Sequence, residues 1–494
     1  MAREETCDIV VIGGGSAAFE AAVAARQAGA EKIVMLEKAP ESEFGGNARY
    51  SHTGFRFAYD TPDEIREIIP DVDEDLFQTF HLPPYTGDDF LADLNRVTQG
   101  RIDPVLSDFM VHNSLDAIRW MRDVGIVFEP EQHPPINGKY YFEPGIIVHS
   151  VGGGLGQLLR WREIALAMGI DVRYDSRVVE LYGNDRRVEG VRVSSDDGEY
   201  DIRGRAVIAC SGGFQANSEM RARYLGPNAD LMKLRGSVYD TGEVLNMMLG
   251  LGAATAGHWQ GAHATPIDAG ARDGGTPARA DGHSNTANRY DYMFGITVNS
   301  AGRRFFDEGE ANLSYTYAKT GRRVLAQPGS VAYQIFDQQG IRLFRLGPDY
   351  TDTYVEAPTI AELAPKIGLH PEVLTHTVEN FNAAVSDDVA FDPSCLDGRS
   401  TAGIDPPKTN WATRIDEPPF RAYAVTCGVT FSFGGVRVNT AMEVINTSGR
   451  AIQGLYASGD VVGLFFHNYP SCTGQTRNAV FSRVAGGNAA ARNN

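Results

Sequence analysis

The sequence predicts an α/β fold in which one parallel sheet is assembled from distant parts of the chain and interrupted by a long insertion. Three apolar runs predict it: 9–12 near the N-terminus, 206–210 in the middle and 454–458 near the C-terminus. Continuous aliphatic runs are typical of parallel strands that are buried on both faces. Glycines follow each run, as expected where such a sheet binds its ligand.

The N-terminal unit is a strand, a glycine turn and a small-residue helix in immediate succession. The glycines of 13–15 let the backbone turn tightly and approach a pyrophosphate, and the amides that begin the alanine-rich helix 16–28 face that phosphate. A second strand, 32–37, ends in a carboxylate at the spacing expected of a ribose ligand. The unit predicts a dinucleotide site whose ligands are Gly13, Gly15, Ser16, Ala17, Glu37 and Lys38.

The two later strands favour FAD over NAD as the dinucleotide. The strand 454–458 runs into Gly459 and Asp460, and the middle strand is followed by Ser211 and Gly212. Together with the N-terminal unit, this trio resembles the large flavoprotein families, in which the late Gly-Asp meets the ribityl chain of FAD. An NAD dehydrogenase would need no distant C-terminal strand to complete its site.

The segment 44–52 follows the ribose acid, and its glycines would let the backbone lie against the flavin diphosphate and ring edge. His52 falls near the place where several flavoproteins attach FAD covalently, but its spacing differs from theirs, so we expect a polar wall residue. The further predicted FAD contacts are Gly45, Gly46, Asn47, Ser51, Val178, Ser211, Gly212, Gly459, Asp460 and Thr473.

Composition and charge exclude several classes of protein. The chain has 494 residues, 43% of them apolar and 22% charged, which is enough for a globular protein with a sizeable core. The net charge of −18 argues against nucleic acid and anionic membranes as partners, although a local basic pocket can still accept an anionic substrate. The five cysteines form no CxxC pair, so we expect no iron–sulfur cluster, no attached haem and no other metal. These cysteines, a first strand too early for a signal peptide and the lack of a membrane-length apolar run predict a cytoplasmic protein without membrane insertion.

Between the N-terminal unit and the middle strand, the patterns predict helices and a small sheet. An amphipathic helix spans 108–125, and 129–145 is a loop rich in Pro and Tyr. The glycine turn 152–156 enters a further helix; because it lacks a basic residue, it suits close helix packing better than phosphate binding. Alternating strands over 171–193 predict a β-meander in which Val178 brings a backbone amide to the adenine.

The stretch before the C-terminal strand predicts an inserted domain that carries the chemistry. We expect the FAD-binding domain to comprise 1–255 and 426–494, with a catalytic, capping domain at 256–425. Within it, 259–265 (WQGAHAT) is similar to the Gln-x-His-Pro-Thr stretch of the fumarate reductase and succinate dehydrogenase flavoproteins, and 302–308 (GRRFFDE) to their Gly-x-Arg-Phe-x-Asn-Glu. The order of motifs resembles that superfamily over nearly the whole chain. The resemblance implies an α/β, Rossmann-like FAD-binding domain with an inserted α+β substrate-capping domain.

Within that superfamily, the sequence looks closest to tricarballylate dehydrogenase-like enzymes and has features of 3-ketosteroid 1-dehydrogenase. The first resemblance lies in Gly-Gly-Asn after the ribose acid, Gln-x-x-His before Ile-Asp, Asp-Glu-Gly-Glu, and the GVTF of 428–431. Asn312 stands where soluble fumarate reductases place a proton-transferring arginine, so fumarate reduction proper is disfavoured. The steroid enzymes have a tyrosine there and a Tyr-Pro-Gly-x-Gly run by the flavin. Tyr315 and Tyr317 lie just beyond Asn312, and Tyr469-Pro470 resembles the run.

The chemistry of such enzymes requires a base beside a stabilised enolate. Breaking two vicinal C–H bonds sends hydride to flavin N5 while a base removes a proton next to a carbonyl or carboxylate. A tyrosine base needs burial beside cations, and those near in sequence are Arg303, Arg304, Arg322 and Arg323. The loop flanked by Arg279 and Arg289 is expected to be solvated, with an anion clamp as the alternative. The predicted catalytic residues are Tyr315, Tyr317, Tyr469, His263, His467 and Gly474, and which tyrosine is the base stays open.

Three functions remain open at this point. The first is a tricarballylate dehydrogenase-like reaction that forms, or in reverse reduces, a C=C bond next to a carboxylate, with dehydrogenation expected but the direction open. The second is desaturation of a cyclic ketone, suggested by Tyr469-Pro470 and by Phe431 and Phe433. The third is a flavin redox carrier without turnover. A pocket with several arginines would support the first, and a long apolar pocket capped by two tyrosines the second. No NAD fingerprint separate from the FAD one is visible, so we expect a separate electron acceptor besides the small-molecule substrate.

Overall fold

The structure, a computed structural model, describes residues 3–131, 135–274, 287–344, 350 and 353–492. The helices in these ranges are α1 Ser16–Gln27, α2 Pro62–Ile68, α3 Glu74–Phe77, α4 Gly87–Thr98, α5 Pro104–His112, α6 Ser114–Val124, α7 Gly153–Ala167, α8 Ser218–Tyr224, α9 Glu243–Gly250, α10 Tyr317–Leu325, α11 Gln338–Arg342, α12 Ile360–Lys366, α13 Pro371–Ala384 and α14 Thr473–Ala491. The strands are β1 Arg3–Ile12, β2 Ile33–Leu36, β3 Gly54–Arg56, β4 Phe80–His81, β5 Phe128–Pro130, β6 Tyr140–Tyr141, β7 Ile146–Ser150, β8 Asp171–Arg173, β9 Arg177–Gly183, β10 Val188–Ser195, β11 Gly198–Ala209, β12 Lys233–Leu234, β13 Thr255–Ala256, β14 Ala262–Asp268, β15 Ile296–Asn299, β16 Ala332–Phe336, β17 Tyr354–Ala357, β18 Phe420–Ser432, β19 Gly435–Val436, β20 Glu443–Ile445 and β21 Ala451–Ala457.

The three distant apolar runs lie side by side in one eight-stranded sheet, as predicted. Its main path is β20-β21-β11-β1-β2-β8, and β9 and β10 extend it as an antiparallel meander. The strand β1 pairs in parallel with both β2 and β11, and β11 pairs in parallel with β21. Val10 and Val11 are fully buried in this sheet. Burying one such side chain contributes about 1.5–3 kcal/mol, which explains why the runs are aliphatic.

Two helices with small residues cover one face of this sheet. The helix α14 packs against α1 so closely that a Cβ on Gly486 would lie 2.2 Å from the carbonyl oxygen of Ala21. The alanines of α1 are buried in this contact, so the small-residue composition is a packing requirement. Within the described ranges, no helix combines the length and the apolar character needed to cross a membrane.

A second, six-stranded sheet carries most of the inserted segment. It has the order β12-β18-β16-β15, with β14 and β17 also paired to β18. β12 lies before the predicted domain boundary at residue 256, and β18 runs across the boundary at residue 425. The sheet therefore joins residues from both sides of those boundaries, and the division into domains stays a prediction.

Some local predictions need correction. The helix predicted over 108–125 is two helices, α5 and α6, because Asn113 between them leaves the helical conformation with φ −104° and ψ 5°. The predicted loop 129–145 contains the end of β5 and all of β6. The glycine turn before α7 serves packing: a Cβ on Gly154 would lie 1.8 Å from the carbonyl oxygen of Ala48.

Candidate active site

A cleft that is partly open to solvent lies at the carboxyl ends of β1, β2, β11 and β21. Ligands of open parallel sheets bind at this end of the strands. All the predicted FAD contacts line the cleft except Ser51 and Thr473. The hydroxyl of Ser51 accepts a hydrogen bond of 3.2 Å from Gln475 in the first turn of α14, one helical turn before the cleft-lining Asn478.

The glycine turn after β1 has no room for side chains. Gly13 has φ +121°, and a Cβ there would lie 2.3 Å from the carbonyl oxygen of Cys210. A Cβ on Gly14 would lie 2.6 Å from a carboxylate oxygen of Glu37. No side chain caps α1 at Gly15, so the first-turn amides of α1 remain directed at the cleft. This cradle fits a diphosphate, which such amides bind well.

The ribose acid Glu37 is buried at the end of β2, and its carboxylate accepts a 2.7 Å hydrogen bond from the amide of Ala39. Burial raises the pKa of Glu37, while the surrounding amides lower it. Lys38 also lines the cleft, but its ammonium group donates to Thr241 and Glu243, each at 2.6 Å. Glu37 thus offers oxygens to ribose hydroxyls, and the Lys38 charge is already paired.

Sequence reasoning missed Asp240, which also lines the cleft. Its carboxyl group accepts a 2.8 Å hydrogen bond from Gln215 and lies against Gly212, where a Cβ would come within 2.3 Å of it. Burial, followed by the nearby carboxylates of Asp460 and Glu37, holds the pKa of Asp240 well above its ordinary value. The protonated form of Asp240 is therefore favoured more than that of an exposed aspartate, and in that form it can donate a hydrogen bond to a cofactor oxygen. No local motif surrounds it; other missed lining residues are Ser176, Arg177, Tyr239, Glu243, Val244 and Asn478.

A second group of polar side chains surrounds the hydroxyl of Tyr317, the first residue of α10, which packs on the second sheet. This hydroxyl lies 2.9 Å from Nε2 of His263 and 3.0 Å from the hydroxyl of Tyr469. The hydroxyl of Ser471 donates to it at 3.3 Å. Three groups that can donate hydrogen bonds thus surround one phenol oxygen. We call Tyr317, His263, Tyr469 and Ser471 the Tyr317 cluster.

Backbone geometry brings the Tyr317 cluster together. A bulge between His263 and Ala264 interrupts the pairing of β14 with β18, which re-aims the His263 side chain. The helix α10 begins at Tyr317 and packs onto β14, because Gly321 leaves no Cβ between them; one would lie 2.5 Å from the carbonyl oxygen of Thr265. Cys472, with φ +66°, turns the chain from Tyr469 into α14.

Aromatic rings form the surroundings of the Tyr317 cluster. The ring of Phe431 stacks on His263 at 5.2 Å and meets Tyr469 edge-on at 5.3 Å. The ring of Tyr290 lies 5.0 Å from that of Tyr317. Phe433 and Phe465 pack behind Tyr469. These rings form a largely apolar aromatic wall around the Tyr317 cluster.

This apolar environment sets the protonation states of the cluster. Burial raises the pKa of Tyr317, and neighbouring Tyr290 and Cys472 raise it further. Burial likewise holds the pKa of Tyr469 well above its ordinary value. Burial and then the Arg235 cation hold the pKa of His263 well below its ordinary value. Both phenols and the imidazole are neutral near pH 7.

Contacts connect the Tyr317 cluster to the cleft. Asn47, which lines the cleft, donates to the carbonyl oxygen of Thr430 at 2.6 Å, next to Phe431. On the other side, a Cβ on Gly474 would lie 3.9 Å from Phe431 and 4.0 Å from Tyr469. The predicted groups around Tyr469, His263 and Gly474 therefore lie together beside the dinucleotide cleft.

Other predicted catalytic residues lie elsewhere. The hydroxyl of Tyr315 accepts a 3.1 Å hydrogen bond from Arg56 and donates to Asp93 at 2.5 Å. Burial raises the pKa of Tyr315 to about 12 even though the Arg56 cation lowers it. His467 donates its backbone amide to Nδ1 of His258 at 3.1 Å, and its ring packs against that ring. Neither side chain makes a described hydrogen bond to the Tyr317 cluster.

The arginines expected to hold a phenolate are engaged elsewhere. Arg304 pairs with Glu308, Arg323 with Glu310, and Arg322 donates to the carbonyl oxygens of Gln260 and Leu225, while Arg303 is exposed. Their nearness to the tyrosines in sequence does not show that these guanidinium groups are paired elsewhere in the fold. Arg289 is buried and paired with Asp268 rather than solvated, and Arg279 lies outside the described residues.

A dinucleotide cleft on a parallel sheet, with a cluster of proton-bearing groups on a second sheet beside it, defines a flavin-dependent oxidoreductase. The chain belongs to the FAD binding domain family, whose sequence profile matches residues 8–475. FAD is its cofactor, and the cleft residues described above fit its diphosphate and ribose.

Relatives and a solved structure extend over nearly the whole chain. A probable fumarate reductase of Shewanella frigidimarina (strain NCIMB 400) is 28% identical over 505 residues, covering 98% of this chain and 75% of the relative. A 3-oxosteroid 1-dehydrogenase of Mycolicibacterium smegmatis is 25% identical over 547 residues, covering 94% and 93%. The open conformation of a flavocytochrome c3 fumarate reductase matches with a TM-score of 0.72 and 26% identity, covering 99% of this chain and 78% of that chain.

These findings confirm the predicted superfamily, the cofactor and the enzyme class. The protein is an FAD-dependent oxidoreductase of the type that acts on CH–CH groups and C=C bonds. The alternative of a flavin carrier without turnover is therefore dropped.

Proposed function

We propose that the enzyme reduces a C=C bond conjugated to a carbonyl group in a flat, largely apolar substrate such as a cyclic enone. The observation that carries the proposal is the neutral Tyr317 hydroxyl, held by His263 and Tyr469 within an aromatic wall. Tyr315 and Tyr469 are each only 6% exposed whereas Tyr317 is half-buried, which favours Tyr317 as the tyrosine that a substrate reaches.

The protonation state supports the direction of the reaction. When bound, FAD in its reduced form would supply a hydride to the carbon β to the carbonyl group, and in its oxidised form would accept one from that carbon in the reverse reaction. Tyr317 donates its proton to the carbon α to the carbonyl group, and a phenol with a raised pKa holds that proton until the carbanion forms. The oxidative direction would require Tyr317 to start as a phenolate, which its apolar surroundings disfavour. We therefore favour reduction over the dehydrogenation expected from sequence.

The surroundings of Tyr317 stabilise the phenolate that proton donation leaves behind. Tyr469 and Ser471 can each donate a hydrogen bond to that oxygen, and so can neutral His263 in the tautomer that carries its hydrogen on Nε2. The substrate carbonyl oxygen would lie at the start of α14, where the Gly474 amide and the helix dipole stabilise a developing enolate. General acid catalysis of this kind contributes about 10²–10⁴-fold to the rate.

The aromatic wall around the Tyr317 cluster also favours an apolar substrate over a polycarboxylate. A small polycarboxylate requires several cations, but Arg304, Arg322 and Arg323 pair with other groups. A largely apolar substrate instead suits a wall that contains the rings of Phe431 and Tyr290.

One contact favours a second candidate substrate, an acrylate with a single carboxylate and an apolar body. Arg235 donates to Asn288 and Thr430, each at 3.0 Å, and its cation acts on His263. One guanidinium at this position can hold one carboxylate. A tricarballylate-like tricarboxylate would leave two carboxylates against aromatic rings.

An anaerobic flavin titration tests the proposal. The reduced holoenzyme is mixed with cyclohex-2-enone, cinnamate, fumarate and cis-aconitate, and return of the oxidised flavin absorbance is recorded. We expect the enone or cinnamate to reoxidise the flavin at least tenfold faster than either of the other two acids. Fastest reoxidation by cis-aconitate would reinstate the tricarballylate-like function. The source of the electrons and the cytoplasmic location stay predictions; we expect a separate electron partner.

A further inference from the structure

Two histidines and two glutamates that have no role assigned above cluster on the three-stranded sheet β3-β7-β5. His52 lies two residues before β3, and His149 lies on β7. Glu129 lies on β5, and Glu131 directly follows that strand. One ligand atom each of His52, His149 and Glu131 lies within 4.8 Å of the others. We propose that His52, His149 and Glu131 bind one divalent transition-metal ion, with zinc as the preferred ion. This is called the His–Glu site below.

The separations of the ligand atoms fit a metal ion. Nε2 of His52 lies 2.9 Å from Oε2 of Glu131, and Nδ1 of His149 lies 3.9 Å from its Oε1. Two ligands of a tetrahedral zinc ion at about 2.0–2.1 Å lie about 3.3 Å apart, which falls between these two values. Since all three ligand atoms lie within 4.8 Å of one another, side-chain adjustments would suffice to bring them to these separations.

His149 provides an independent indication that the site binds a ligand. Its side chain is 6% exposed, and Nδ1 has no hydrogen-bond partner in the part of the chain that the structure describes. On the other side of the ring, Nε2 lies 3.1 Å from Oε1 of Glu129. A hydrogen bond from Nε2–H to Glu129 leaves the Nδ1 lone pair directed at Glu131. Metal-binding histidines are oriented by carboxylates in this way.

The donor set and its access indicate which ion is bound. Two imidazoles and one carboxylate suit zinc and other first-row divalent ions, whereas calcium and magnesium prefer oxygen ligands alone. The His52 side chain is 35% exposed, so an ion can enter and water can complete its coordination.

The His–Glu site also borders the active site. A Cβ on Gly54 would lie 2.8 Å from Oε1 of Glu131 and 2.7 Å from the sulfur of Cys472, the residue that precedes α14. A bound ion would hold β3, β5 and β7 against the start of α14. We therefore expect it to stabilise this region without taking part in hydride or proton transfer, so the inference does not depend on the proposed function.

Zinc binding to tag-free holoenzyme tests the inference. After removal of metals with a chelator, the protein is equilibrated with Zn²⁺, and bound zinc is measured by mass spectrometry together with the thermal midpoint. We expect one zinc per chain and a higher midpoint. His52→Gln should weaken binding at least 100-fold, and Glu129→Gln, which removes only the orienting group, about 10–100-fold.

The matched control is His112→Gln, because His112 pairs with Asp108 at 3.2 Å on the exposed face of α5 without a second histidine. It should leave zinc binding unchanged. The flavin absorbance shows that each variant is folded. Wild-type protein that retains no stoichiometric zinc, or equal zinc binding by wild type and His52→Gln, would overturn the proposal and leave two hydrogen-bonded His–Glu pairs.

Discussion

Replacing Glu20 by Gln should stabilise the protein, and increasingly so as the pH rises. Glu20 lies in α1, fully buried behind the dinucleotide cradle, and neither carboxyl oxygen has a hydrogen-bond partner among the described residues. Burial raises the pKa of Glu20 from its ordinary value of 4.5 to about 8, and the nearby Ser482 hydroxyl acts in the opposite direction. The folded protein must therefore keep a proton on Glu20 that the unfolded chain has already released.

The sign and size follow from this difference in proton binding. Below pH 4.5 both states are protonated and Glu20 costs nothing through ionisation; as pH rises to 8 the cost grows, and above 8 it is constant. At about 1.36 kcal/mol per pKa unit, the cost is about 2 kcal/mol at pH 6 and about 4 kcal/mol at pH 8. Glutamine has nearly the same shape and cannot ionise, so Glu20→Gln should recover these amounts.

Differential scanning calorimetry of the holoenzyme measures the effect. With an unfolding entropy of about 1 kcal/mol/K for a chain of this length, the midpoint should rise by about 2 °C at pH 6 and about 4 °C at pH 8. Glu199→Gln, which removes an exposed carboxylate on β11, is the control and should change the free energy of unfolding by less than about 0.5 kcal/mol. A stabilisation by Glu20→Gln that is the same at pH 6 and pH 8 would refute the reasoning.

Three further predictions follow from backbone and side-chain contacts. Gly13→Ala should abolish FAD binding, because its Cβ would lie 2.3 Å from the Cys210 carbonyl oxygen at a φ of +121°; flavin absorbance after gel filtration measures this. Gly321→Ala should push α10 away from β14 and lower kcat at least 10-fold while FAD stays bound, since the Cβ would lie 2.5 Å from the Thr265 carbonyl oxygen; retained kcat would contradict the packing argument. Tyr315→Phe removes the Arg56 and Asp93 hydrogen bonds, so it should lower the thermal midpoint but leave kcat within about fivefold; a loss as large as that of Tyr317→Phe would assign proton transfer to Tyr315 instead.

Much of the cofactor cleft could be predicted because its requirements are local. A tight turn beside a diphosphate requires glycine, and a strand buried on both faces requires aliphatic residues. The residues of 9–15 and 454–460 that predict the cleft are therefore adjacent in sequence. No local sequence pattern marks Asp240. Its position depends on contacts with Gly212 and Gln215, which are distant in sequence and become neighbours only in the folded chain.

The Tyr317 cluster shows what local sequence patterns do not predict. Tyr315 and Tyr317 are two residues apart, but α10 begins at Tyr317, so the two phenols enter different networks. The partners of Tyr317 come from β14 and from the turn before α14, more than fifty and more than one hundred and fifty residues away. The arginines that are close to Tyr317 in sequence form their ion pairs and hydrogen bonds with other groups, which the sequence does not show.

The most direct test of the central claim is proton transfer by Tyr317. Reduced wild type, Tyr317→Phe and Tyr469→Phe are mixed with cyclohex-2-enone in single-turnover experiments in H₂O and D₂O. We predict that Tyr317→Phe slows flavin reoxidation about 10²–10⁴-fold with unchanged flavin absorbance, that Tyr469→Phe slows it less, and that wild type places deuterium on the carbon next to the carbonyl group. Reoxidation of Tyr317→Phe within fivefold of wild type would contradict the assignment of Tyr317 as the proton donor.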